Sequence, residues 1–206
     1  EMKMRHIGWM VAVCVVLGGL PAAAETPASD ADSGLIEMMK ARDRAIQDIV
    51  RSETEGSTES EREQLKAIVG ELFDFERLSR KSLGRYWRDR TEAERGEFVG
   101  LYRRLIEKNY ADPKLYTKSD KIEYLGADVE GAEAVLKTMV YYKTEKSTID
   151  YRFHTVDGKW LIYDMVIDDL SIARNNRSQF YKEIRKSSYE GLVRKLKDKL
   201  IGESED

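Results

Sequence analysis

Apolar residues at Leu35, Ile36, Met38, Met39, Ile46, Ile49 and Val50 recur at helical spacing with charges between them, which predicts an amphipathic helix over 35–50. A polar stretch over 52–60 reads as a linker. Glu61 to Val69 predicts a short second helix, and Leu72-Phe73-Asp74-Phe75 leads into another around Leu78 to Leu83. Thr91-Glu92-Ala93-Glu94 has the form of a capping box, with Thr as N-cap and Glu three residues on. The helix it opens carries Phe98, Leu101, Tyr102, Leu105 and Ile106 on one stripe and should end near Tyr110, before Pro113.

Beyond Pro113 the period changes from 3.6 to 2. Four runs read as strands, over 118–128, 132–144, 148–156 and 159–167, and the alternation is clearest where Ile149, Tyr151 and Phe153 face away from Asp150, Arg152 and His154. Asp157-Gly158 is a strong hairpin signal, with further turns expected at Gly131 and at Glu145-Lys146. Helical patterns return over 170–186 and 189–200, the last with Leu192, Val193, Leu196 and Leu200 on one side. Helices, a four-strand meander and more helices predict an α+β domain, with helices packed on a curved antiparallel sheet. Such a sheet can enclose a hollow or can be filled by its own side chains.

The N-terminus changes the picture. Lys3 and Arg5 precede an apolar run from Ile7 to Leu20 that ends in Pro21-Ala22-Ala23-Ala24, the pattern of a cleavable export signal over 1–24. No later stretch is long and uncharged enough to span a bilayer. Residues 25–33 read as a disordered lead-in and 34–202 as a single domain. The one cysteine, Cys14, lies inside the signal, so thiolate sites and disulfides are excluded from the exported chain. With 35 basic against 38 acidic residues, nothing suggests a general affinity for nucleic acid.

Candidate chemistry is sparse. His154 is the one histidine outside the signal, is expected at a solvent-facing rim, and lacks partners for a metal site. Asp164, Asp168 and Asp169 crowd a strand end. The structural reading has Asp164 accepting hydrogen bonds there and Asp168 or Asp169 capping the next helix; the acid/base reading needs burial to split their pKa values. No phosphate loop, nucleophile elbow or catalytic triad can be assembled. Arg77, Arg80, Lys81, Arg85, Arg88 and Arg90, interleaved with Tyr86 and Trp87, form either a solvated surface or a patch for acidic partners.

The segments Asp74-Phe75-Glu76-Arg77-Leu78, Leu83-Gly84-Arg85-Tyr86-Trp87 and Phe98 through Tyr110 resemble the MlaC-type phospholipid-binding family, also called toluene-tolerance auxiliary proteins. The resemblance continues through Val156-Asp157-Gly158-Lys159-Trp160, Tyr163-Asp164, Ser171-Ile172 and Asn175-Asn176-Arg177-Ser178-Gln179-Phe180, in the same order, over roughly residues 35 to 200. Asp169 stands where relatives commonly have Gly, and Asn176 where an aromatic is common. The resemblance implies a nuclear-transport-factor-2-like fold without a cofactor and without enzymatic activity. The implied protein is a monomeric periplasmic carrier. It would hold a diacyl glycerophospholipid by its tails and shuttle it between an outer-membrane lipoprotein complex and an inner-membrane ABC transporter, maintaining outer-membrane lipid asymmetry.

Under that reading the lipid-binding candidates are Phe73, Phe75, Leu101 and Leu105 on helices and Val140, Tyr142, Ile149, Tyr151, Phe153, Met165 and Ile167 on the sheet. Arg85, Arg88, Lys143 and Lys146 are the candidate partner contacts. Two alternatives stand beside it. One is a small-molecule isomerase or dehydratase of the same fold, using Asp164 with Tyr142 or Tyr151. The other is a periplasmic interaction module with a filled core.

Overall fold

The computed structural model describes residues 30–51, 59–111, 113–116 and 121–201; the expected export signal, most of the lead-in and most of the linker lie outside them. Helix α1 (Asp30–Arg51) begins earlier than the hydrophobic pattern, inside the expected lead-in, and buries Leu35, Met39, Ile46 and Val50. Helix α2 (Glu59–Leu72) buries Leu65, Val69 and Leu72. The chain then adds to the sheet edge, where Phe73 bridges Ile162 and the Asp74 amide donates to the Ile162 carbonyl at 2.9 Å. Asp74 also caps α3 (Phe75–Leu83) by accepting from the Arg77 amide at 2.8 Å. Gly84 ends that helix at φ 53°, and a Cβ there would stand 2.4 Å from the Tyr181 hydroxyl, so both backbone and space require glycine. A 3-10 turn over Gly84–Trp87 leads to α4 (Glu92–Tyr110). The capping box forms as expected: Glu94 N donates to Thr91 Oγ1 at 3.2 Å, and Thr91 N donates to Glu94 Oε2 at 2.7 Å. A one-turn helix, α5 (Pro113–Tyr116), follows where no element was expected.

Strands β1 (Lys121–Glu130), β2 (Glu133–Tyr142), β3 (Glu145–Val156), β4 (Lys159–Ile167) and β5 (Leu170–Ser171) form an antiparallel meander in sequence order. The Asp157-Gly158 hairpin takes positive φ at both positions, 49° and 75°, the backbone of a type I′ turn. The expected turn at Glu145-Lys146 is shifted: Glu145 already pairs with Tyr142, and Lys143, at φ 52°, opens the turn. Leu170 and Ser171, expected to be helical, pair with β4 instead, so α6 (Ile172–Ser187) starts two residues later. Asp168 and Asp169 bend the chain there at φ 46° and 65°, the left-handed region that glycine adopts most readily. Helix α7 (Tyr189–Ile201) closes the described chain.

Two cores result. One is helical: α3, α4, α6 and α7 pack around Phe98, Tyr102 and Phe180, whose rings meet at 5.6–5.7 Å. The other lies between α1 and one face of the sheet, around Leu35, Met39, Leu136, Phe153, Ile162 and Met165. Phe73 and Ile172 touch both.

Candidate functional site

Register decides which side chains share the inner face. Ala134, Leu136, Thr138, Val140 and Tyr142 of β2 oppose Phe153, Tyr151, Ile149, Ser147 and Glu145 of β3, and Tyr151 and Ile149 oppose Met165 and Ile167 of β4. A bulge opposite Arg152 keeps Ile162 in phase with this set and turns Tyr163 and Asp164 to the other face. Burial along the inner face is graded. Ala134, Leu136, Thr138, Phe153, Ile162 and Met165 are buried, whereas Val140, Tyr142, Ile149, Tyr151 and Ile167, toward the β2–β3 turn, are half-exposed. On β2, β3 and β4 the apolar face is thus buried more completely toward the β1–β2 turn than toward the β2–β3 turn.

Aromatic hydroxyls gather beside the inner face. Tyr116 of α5, Tyr124 of β1 and Tyr151 of β3 gather around Asp43 of α1, with Tyr110 at the end of α4 beside Tyr116: Tyr124 donates to the Asp43 carboxylate and Tyr116 to the Tyr110 carbonyl. Burial is the first cause that raises all four phenols, Tyr110 to about 12. Asp43 adds to the rise of Tyr116, Tyr124 and Tyr151, and burial raises Asp43 itself above 3.8 against the pull of the Tyr124 hydrogen bond. The meeting of Tyr124 with Asp43, 81 residues away, had no signal in the sequence.

The structure gathers Phe73, Ile149, Tyr151, Phe153, Met165 and Ile167 in the sheet core, with Val140 and Tyr142 on the same face. Phe75, Leu101 and Leu105 belong to the helical core instead. The four candidate partner cations are exposed but sit on different elements, Arg85 and Arg88 at the 3-10 turn and Lys143 and Lys146 at the β2–β3 turn.

The acid/base alternative fails on geometry. Asp164 lies on the face opposite Tyr142 and Tyr151, and its oxygens accept from Ser171 Oγ at 2.8 Å and Ala173 N at 3.1 Å. The expectation that Asp164 accepts hydrogen bonds at the strand end holds. The helix cap, expected from Asp168 or Asp169, is Ser171, which accepts from Arg174 N at 3.1 Å. Asp168 instead accepts from Thr148 N at 2.9 Å and Ser147 Oγ at 3.0 Å, tying the bend to β3. His154, expected at a solvent-facing rim, is half-buried: its Nε2 stands 2.7 Å from Asp74 Oδ2, and its ring meets Tyr163 edge-on at 5.6 Å. Among the described residues no group of His, Cys, Asp and Glu is placed to hold a metal.

The family model described as MlaC protein matches residues 40–198. Among solved structures, the fold is similar to that of a phospholipid-binding protein from Ralstonia solanacearum in complex with a phospholipid. That match has a TM-score of 0.66 and 19% identity, and covers 84% of this chain and 97% of that one. No curated protein matches the chain.

Proposed function

The chain belongs to the MlaC protein family, and from that premise we propose that it is a periplasmic carrier of diacyl glycerophospholipid, passing lipid between membrane complexes of an ABC transport system. The observation that carries this reading is the graded apolar inner face, buried toward the β1–β2 turn on β2, β3 and β4 and partly exposed toward the β2–β3 turn. The phospholipid held by the Ralstonia protein of similar fold supports it. The export pattern at the N-terminus supports the compartment.

Burying acyl chain is worth ~0.8 kcal/mol per methylene, so two long tails amount to roughly 20 kcal/mol or more, close to the ceiling of non-covalent affinity. A carrier must match most of that, which calls for apolar wall and adaptable side chains rather than reactive groups. Ile149, Tyr151 and Ile167, backed by Phe153 and Met165, supply such a wall. In this reading the tyrosine hydroxyls and Asp43 would meet the glycerol and ester region as the tails enter.

Native mass spectrometry of the protein purified from a Gram-negative periplasm, with solvent extraction of the same sample, tests the reading. One diacyl phospholipid per chain, released on denaturation, is the expected result. A ligand-free mass in protein that takes up no lipid from vesicles would overturn it.

A further inference from the structure

The face of the sheet opposite the hollow carries a group of cations for which the lipid reading has no use. Arg77 and Lys81 stand one turn apart on α3 and, with Arg152 of β3, gather at Tyr163 of β4. The Arg77 guanidinium stands 3.9 Å and Lys81 Nζ 4.9 Å from the centre of the Tyr163 ring. Arg177 Nε donates to the Lys81 carbonyl at 2.7 Å, which locks α3 to α6 and sets the spacing of the group.

Compensation within this group is incomplete. Arg77 pairs with Glu133 at 2.5 Å. Asp164, the acid acting on Lys81, is buried with both oxygens engaged by Ser171 and Ala173. Among the described residues neither Lys81 Nζ nor the Arg152 guanidinium has a hydrogen-bond or ion-pair partner, although both side chains are half-buried. Lys81 is lowered from 10.5, by burial first and then by repulsion from Arg152, Arg77 and Arg177, against the pull of Asp164. Unpaired cations crowded in a recess over an aromatic ring relax when an anion enters, and a carboxylate can take the Arg152 fork through two oxygens.

We propose that Lys81 and Arg152, backed by Tyr163, form a docking site for an acidic side chain projected by a partner protein. A bilayer offers its phosphates in a plane, which cannot follow cations set back between α3, β3 and α6, whereas a single Asp or Glu side chain can. A lipid held in the hollow lies across the sheet and cannot supply the anion. The site therefore stands whether or not the hollow binds lipid.

The test is a nuclear magnetic resonance titration of the isotope-labelled full chain with a hexaglutamate peptide at low salt. It is repeated with inorganic phosphate and with phosphatidylglycerol vesicles. Saturable shifts of the Lys81 and Arg152 side-chain signals on adding peptide are expected, with affinity at least about tenfold weaker in the Lys81→Gln/Arg152→Gln variant. Should that variant fold poorly, Arg152→Glu alone is to give the same loss at an unchanged amide spectrum. Shifts that bypass these two side chains, or unchanged affinity in a folded variant, would overturn the site. Phosphate or vesicles moving the same signals as strongly as the peptide would overturn the assignment to a protein partner.

Discussion

Asp43 is an acid held away from charge by its surroundings. Burial favours its neutral form, and the Tyr124 hydroxyl that donates to it only partly offsets this. Its folded pKa is therefore above the ordinary 3.8, so through the window that begins there the native state binds more protons than the unfolded chain and stability falls as pH rises. Asparagine keeps the acceptor and removes the titration. In Asp43→Asn, the melting temperature relative to the parent is expected to rise as the pH is raised from 3.8 upward; a flat difference in thermal melts would contradict the assignment. His154, which the strand alternation alone sends to solvent, pairs with Asp74 because the loop before α3 docks against the sheet edge. The alternation fixed the face on which His154 stands but carried no information about what would cover it.

At the scale of elements, local rules and tertiary demands separate cleanly. The capping box at Thr91 is local chemistry, readable in four residues. Its loss in Thr91→Ala should cost about 1 kcal/mol. Gly84 answers to two constraints at once, a backbone at φ 53° and the Tyr181 hydroxyl where a Cβ would go. Gly84→Ala should therefore cost more, roughly 1–3 kcal/mol, because the 3-10 turn and α6 must both shift. Denaturant melts of the two variants should rank them in that order, and an alanine at 84 less harmful than one at 91 would refute the account of the turn. The same distinction explains the α6 start. Its helical pattern begins at Leu170, but pairing of Leu170 and Ser171 with β4 takes two residues from the helix and makes Ser171 the cap.

For the whole molecule, the graded inner face separates core from candidate wall. Phe153 is fully buried in the sheet core, so Phe153→Asp should prevent folding and report nothing about ligand. Ile149→Glu and Ile167→Glu alter half-exposed positions toward the β2–β3 turn. Each should leave a cooperative melt within a few degrees of the parent and reduce co-purified phospholipid at least tenfold by mass spectrometry, since a charge would then face the tails. Folded variants that retain stoichiometric lipid would show that the tails lie elsewhere. Leu105→Glu, in the helical core, should resemble Phe153→Asp in unfolding the protein rather than emptying it.

What the sequence determined by itself was local and periodic: the helix and strand pattern, the capping box, the Asp157-Gly158 turn and the set of sheet residues that share a face, because hydrogen-bonding geometry imposes a period on each element. The same periodicity put Leu101 and Leu105 on a buried stripe but was silent about which core would receive it. Only the tertiary structure decided that Phe75, Leu101 and Leu105 pack among helices, that Tyr116, Tyr124 and Tyr151 meet at Asp43, and that the inner face is buried more completely toward the β1–β2 turn than toward the β2–β3 turn. These are contacts between residues far apart in the chain. They follow from how helices dock on a twisted, bulged sheet, a balance of packing and desolvation that no single segment contains.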